Sequence, residues 1–115
     1  MNPNLIANLE KLLDGPRDGA MLRFSLGNAW LTADAAKAAS YFRDAVTRDP
    51  DYSAAWKGLG KALATSGDTA AALAAYEEGL RVAQARGDLQ AAREMQVFAR
   101  RLAKQRDAGG TNTTG

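Results

Sequence analysis

Neither cysteine nor histidine occurs in the 115 residues, and proline occurs only three times. The missing pair removes thiolate nucleophiles, Ser-His triads, zinc sites and haem axial histidines together. Without cysteine no disulfide framework can form, which favours the cytoplasm over an oxidising compartment. Long apolar runs are missing too. No window approaches ~18 uninterrupted apolar residues, so no segment is expected to span a membrane. The apolar start, Leu5, Ile6 and Leu9, is broken by Glu10 and Lys11 and does not read as a targeting signal. Most enzyme classes are set aside by these absences.

What is present is ordinary globular composition, 46% hydrophobic and 24% charged, enough for one small core or one short array of repeats. The net charge of +2 is unevenly spread. Residues 1–80 carry eight basic and ten acidic groups, net −2, whereas residues 81–115 carry seven and three, net +4. Alanine is the commonest residue, with 25 copies, and β-branched residues are few, a composition that leans to helix.

Apolar periodicity and breakers divide the chain into six helices. The first covers about 4–13, with Leu5, Leu9, Leu12 and Leu13 as its stripe, and Asp14-Gly15-Pro16 stops it. Further helices are expected over about 20–31, 35–48, 53–65 and 69–86. Asp49-Pro50-Asp51 and Ser66-Gly67-Asp68 act as breaks, and Gly87 as a left-handed cap. A sixth covers about 88–106. The remainder, 108–115, is small, polar and patternless and reads as a disordered tail on a single helical domain, 1–107.

Self-similarity changes the reading. Leu26-Gly27 recurs thirty-three positions later as Leu59-Gly60, and Ala38-x-x-x-Phe42 recurs thirty-four positions later as Ala72-x-x-x-Tyr76. The first copy is thus one residue shorter in its internal turn. Gly27 and Gly60 fall inside helices, where each costs ~1 kcal/mol against alanine. Close helix approach is the best physical reason for them, with Ala38, Ala45, Ala72 and Gly79 as the small residues opposite. Trp30, Phe42, Trp56, Leu63 and Tyr76 would fill the volume between helix pairs.

The residue order resembles the tetratricopeptide repeat, W-x-x-L-G-x-x-Y, then A-x-x-x-F, then P. Trp56-x-x-Leu59-Gly60-x-x-Leu63 with Ala72 and Tyr76 carry one copy, about 53–86. Arg23-x-x-Leu26-Gly27-x-x-Trp30 with Ala38, Phe42 and Pro50 carry the other, about 20–52. Arg23 stands where the family has Trp, and Gln84 where it has Pro. The sixth helix departs from the pattern and is taken as a cap. The resemblance implies an all-α fold of antiparallel helix pairs, stacked as a short right-handed superhelix. It also implies a scaffold that binds protein or peptide along the concave face of its first helices.

Helical geometry at ~100° per residue puts Met21, Phe24, Asn28 and Leu31 on one side of the second helix, away from Leu26, Gly27 and Trp30. Lys57 and Lys61 take the matching side of the fourth. These six form the candidate groove, suited by charge to an acidic or carboxylate-bearing segment. An ordinary solvated face is the competing reading of the two lysines. In some family members Lys and Asn clamp a ligand's carboxylate. Asn28 matches such an asparagine, but Phe24 and Gly58 replace other members, so the full clamp is absent. On the sixth helix, Arg93, Arg100, Arg101 and Lys104 offer a basic docking face or simply a soluble outer face. Nucleic acid is disfavoured there, because exposed aromatics beside the arginines are rare. A weak homodimer through Met21, Phe24 and Leu31 is an alternative to a monomer. Glu77-Glu78, Asp49-Pro50-Asp51 and Gly58-Leu59-Gly60-Lys61 lack the context of an acid/base pair, a calcium loop or a phosphate loop. No enzyme activity and no cofactor is expected.

Overall fold

The computed structural model describes residues 3–113, with side chains described from Asn4 to Ala108. Six helices follow one another, with no strand among the described residues: α1 (Pro3–Glu10), α2 (Ala20–Trp30), α3 (Ala35–Arg48), α4 (Ser53–Thr65), α5 (Thr69–Arg86) and α6 (Leu89–Thr113). The connections from α2 onward are too short for anything but antiparallel neighbours. α2 pairs with α3 and α4 with α5, α3 packs on α4 and α5 on α6, and both α2 and α6 touch α4. The thinnest dimension, 19 Å, is that of two helix layers at about 10 Å each. α2, α4 and α6 therefore form one layer and α3 and α5 the other.

Local sequence explains the boundaries. Two junctions are built alike. Gly67 (φ +93°) and Gly87 (φ +74°) adopt the left-handed conformation that ends α4 and α5. The aspartate that follows each does two jobs. Its backbone N–H closes the preceding helix, Asp68 onto the Leu63 carbonyl at 2.9 Å and Asp88 onto the Ala83 carbonyl at 2.8 Å. Its carboxylate then accepts an N–H of the next helix, from Ala71 and Ala91 respectively, both at 3.2 Å. Between α2 and α3 there is no such glycine. Asp34 alone makes the turn, its N–H on the Trp30 carbonyl and its carboxylate on the Lys37 N–H at 3.0 Å. That missing glycine is the one-residue difference between the two repeats.

The core runs between the layers, with Leu26, Phe42 and Met95 fully enclosed. Its spacing is set by glycine. A Cβ on Gly27 would lie 2.7 Å from the Phe42 ring, and one on Gly60 2.5 Å from the Tyr76 ring. Both rings occupy the space of the absent side chain, so the helix-interior cost of glycine is offset by ring burial. Gly58, which the sequence did not single out for packing, faces Phe42 from the other side. Phe42 is thus held between glycines of α2 and α4. Gly79 repeats the arrangement one layer on, against Trp56 and Met95.

Arg23 and Trp56 occupy equivalent places but are anchored differently. The indole N–H of Trp56 donates to the Pro50 carbonyl at 2.8 Å, tying α4 to the turn before it. Arg23 instead makes ion pairs with Asp18 at 2.6 Å and Asp44 at 3.1 Å. Its guanidinium hydrogen bond, helped by the Asp14 backbone N–H, holds the Asp18 carboxyl well below the usual carboxylate range.

The two ends differ from the sequence expectation. α1 stops at Glu10 rather than near 13, because the chain tightens into shorter-range turns through Leu12 and Leu13 and Asp14 turns left-handed at φ +65°. Ile6 is the buried residue of α1, and Leu5 is half exposed. The hydroxyl of Tyr41 on α3 donates to Glu10 at 2.8 Å and pins the helix end. At the other end α6 continues to Thr113, past the fade near Arg106 and into the stretch read as a disordered tail. Extending an established helix adds one hydrogen bond per residue ordered, without a new nucleation cost. Thr114 and Gly115 lie outside the described residues.

Candidate functional site

A groove of about 290 Å³ opens on the layer formed by α2, α4 and α6, lined by Phe24, Asn28 and Leu31, by Ala54, Lys57, Gly58 and Lys61, and by Glu94 and Phe98. Five of the six residues expected to form a groove meet here. Met21 does not line it and is 73% exposed. It lies in the first turn of α2.

The apolar walls are rigidly backed. The Phe24 ring sits 4.9 Å from Tyr52 and 5.8 Å from Phe42. Phe98 sits 5.9 Å from Tyr76, whose hydroxyl is pushed up to about 12 by burial and so stays neutral. Each groove aromatic therefore rests on a buried ring of the opposite layer, and the glycines fix those rings. The same contacts that hold the pairs together shape the concave surface.

The two lysines are not equivalent. Lys57 forms an ion pair with Glu94 of α6 at 3.3 Å, both side chains being about one-third exposed, 33% and 38%. Lys61, one turn further along α4, is exposed and has no carboxylate partner among the described residues. Sequence reasoning placed both lysines in the groove alike and did not bring Glu94 or Phe98 of α6 into it. A signal was available. Ala92-x-x-Met95 repeats the spacing of Trp56-x-x-Leu59, with Ala for Trp and Gln96 where glycine stood, and it would have brought α6 into the groove. α6 is the third wall of the site as well as the end of the array.

The basic residues of α6 divide. Arg93, Arg100 and Lys104 are exposed on one stripe beside Val97, without carboxylate partners among the described residues. Arg101 turns towards a smaller hollow of about 130 Å³ with Ala64, Tyr76, Phe98, Leu102 and Gln105. Phe98 belongs to both hollows, so the groove runs on towards Arg101. Gly58-Leu59-Gly60-Lys61 is helical throughout, which leaves no loop to cradle a phosphate. No cluster of metal-ligating side chains and no helix long and apolar enough to cross a membrane occurs among the described residues.

Comparison with known proteins agrees with this geometry. A family model described as tetratricopeptide repeat matches residues 29–95. The chain belongs to the tetratricopeptide repeat family. A TPR repeat-containing protein of Pseudomonas aeruginosa is 48% identical over 103 residues, covering 89% of this chain and 98% of the relative. The solution structure of a Bordetella parapertussis protein superposes with a TM-score of 0.77 at 43% identity, covering 91% of each chain. A tetratricopeptide repeat domain protein from Salinibacter ruber gives 0.68 at 28% identity, covering 77% of this chain and 90% of that one. As a member of the family, the chain carries the general character of a protein-interaction scaffold.

Membership also places the remaining signature residues. Leu26, Ala38, Phe42, Leu59, Ala72 and Tyr76 are buried between the tetratricopeptide helices, with Trp30 and Trp56 partly buried at their edges. Pro50 is exposed and acts through its backbone carbonyl. The matched stretch reaches Met95, so the family pattern extends into α6, beyond the two repeats legible by eye.

Proposed function

We propose that the chain is a non-catalytic adaptor that holds a segment of another protein in the α2–α4–α6 groove, and that the segment presents carboxylate to Lys61. One observation carries this reading: a cation without a carboxylate partner among the described residues stands among braced apolar side chains, Phe24, Leu31 and Phe98, on the concave layer of a repeat scaffold. Apolar contact supplies affinity and the charge supplies orientation and on-rate. A cytoplasmic setting fits the absence of cysteine. The free protein is a monomer in this reading: of Met21, Phe24 and Leu31 only Met21 is exposed, while Phe24 and Leu31 are half-buried in the groove wall.

The test is comparative capture from native extract with the unaltered chain and the Leu31→Asp, Lys61→Glu double variant. Proteins retained by the first and lost by the second, with helical circular dichroism unchanged, support the groove. Equal retention by both rejects it.

A further inference from the structure

We infer that Glu94 is a built-in counter-ion that leaves the groove a single anion position, at Lys61 and Asn28, and so selects a partner segment with one carboxylate beside apolar side chains. The inference rests on the groove reading above and adds a ligand charge and a specificity residue to it.

Charge counting makes the case. Lys57 and Lys61 lie four residues apart on one face of α4, and alone they would repel each other and invite two carboxylates. Glu94 reaches over from α6 and answers the first of them at 3.3 Å. The charged residues lining the groove are Lys57, Lys61 and Glu94, so its sum is +1 and its complement a single negative charge. A second ligand carboxylate at Lys57 would have to displace Glu94 and then lie beside it in the same cavity. Lys61 has no such competitor, and Asn28, exposed on α2, lines the same cavity with an amide able to donate to a carboxylate. The rest of the lining is apolar or small, Phe24, Leu31, Ala54, Gly58 and Phe98, which suits aliphatic side chains next to the charge.

The experiment uses the full chain labelled with ¹⁵N and follows the Asn28 and Lys61 amides during titration with three acetylated tripeptides. Ala-Leu-Leu amide is neutral, Ala-Leu-Leu with a free carboxyl carries one charge, and Ala-Leu-Asp with a free carboxyl carries two. The unaltered chain is expected to bind both charged peptides equally, within about twofold, and the neutral one more weakly. In Glu94→Gln the doubly charged peptide gains about threefold over the singly charged one, the scale of one exposed charge pair. Adding Lys57→Ala to Glu94→Gln removes that gain. A preference for the doubly charged peptide that is already as large in the unaltered chain overturns the role of Glu94 while the groove stands. Absence of groove shifts with every peptide, in both the unaltered chain and Glu94→Gln, rejects the groove reading and this inference with it.

Discussion

Arg23 and Trp56 hold the same place in the two repeats, thirty-three residues apart, and the fold settles them by different chemistry. Trp56 fills the edge of its pair with an indole whose one polar atom is answered by the Pro50 carbonyl. Arg23 keeps only 12% of its side chain exposed and is neutralised by Asp18, 7% exposed, with Asp44 beside it. Gly27 and Gly60, three residues before Trp30 and Leu63, are identical in both repeats and face a ring in both. The repeat therefore demands steric fit at one position and only volume and neutrality at the other. An aromatic at 23 would take from the enclosed Asp18 its nearest cation and leave only Arg48, at 3.8 Å, so the family residue is no longer interchangeable there.

The comparison can be broken at its steric end first. Gly27→Leu and Gly60→Leu force a side chain into Phe42 or Tyr76 and should each cost about 3 kcal/mol or more. That lowers Tm by roughly 10 °C or more in a chain of this size, read by thermal circular dichroism. A large loss at one glycine and none at the other would end the claim that both repeats share the same packing rule.

At the chemical end the two repeats should part with pH. Trp56→Ala removes apolar contact and is expected to cost about 2–4 kcal/mol, to a similar degree from neutral pH to pH 3. Arg23→Met should lose stability at neutral pH, because Asp18 keeps its charge but loses its 2.6 Å partner and retains only Arg48 at 3.8 Å. The Asp18 carboxyl lies below its unfolded value of 3.8 in the folded chain. Its contribution is thus complete above that value and is lost as pH falls through the folded one. The gap in Tm between the unaltered chain and Arg23→Met should then narrow on acidification. A gap that stays constant down to pH 2 would show that the network does not act through charge.

The smallest effect belongs to the turn that separates the repeats. Gly67→Ala puts a side chain at φ +93° and should cost about 1 kcal/mol. The matching turn of the first repeat, which lacks the glycine, offers no such position, and Ala33→Gly there should be near neutral or slightly destabilising by melting temperature.

Much of this was legible in the residues because it is local. The cap at Gly87, the breaks at Asp49-Pro50-Asp51 and Ser66-Gly67-Asp68, and the thirty-three-residue recurrence are read within a few positions, and α3, α4 and α5 begin and end where the sequence places them. The face of α2 and α4 that forms the groove follows from helical period alone. What escaped is long-range. Glu94 meets Lys57 across thirty-seven positions, and no spacing rule within one helix announces that pair. α6 escaped because Ala92 replaces the Trp of α4 and Gln96 the Gly that marks both other groove helices, while burial of Met95 preserves the packing without the signature. Gly58 looked like part of a glycine-rich run and is instead the second wall around Phe42.

The central claim is that binding takes place on the concave layer. Its most direct measurement places a photo-cross-linking amino acid at Asn28 in the groove and, separately, at Gln84 on the exposed side of α5, in cells of the source organism. The account predicts a discrete cross-linked partner from position 28, lost when Lys61→Glu is added, and none from position 84. The same partner captured from position 84, with position 28 silent, would contradict it.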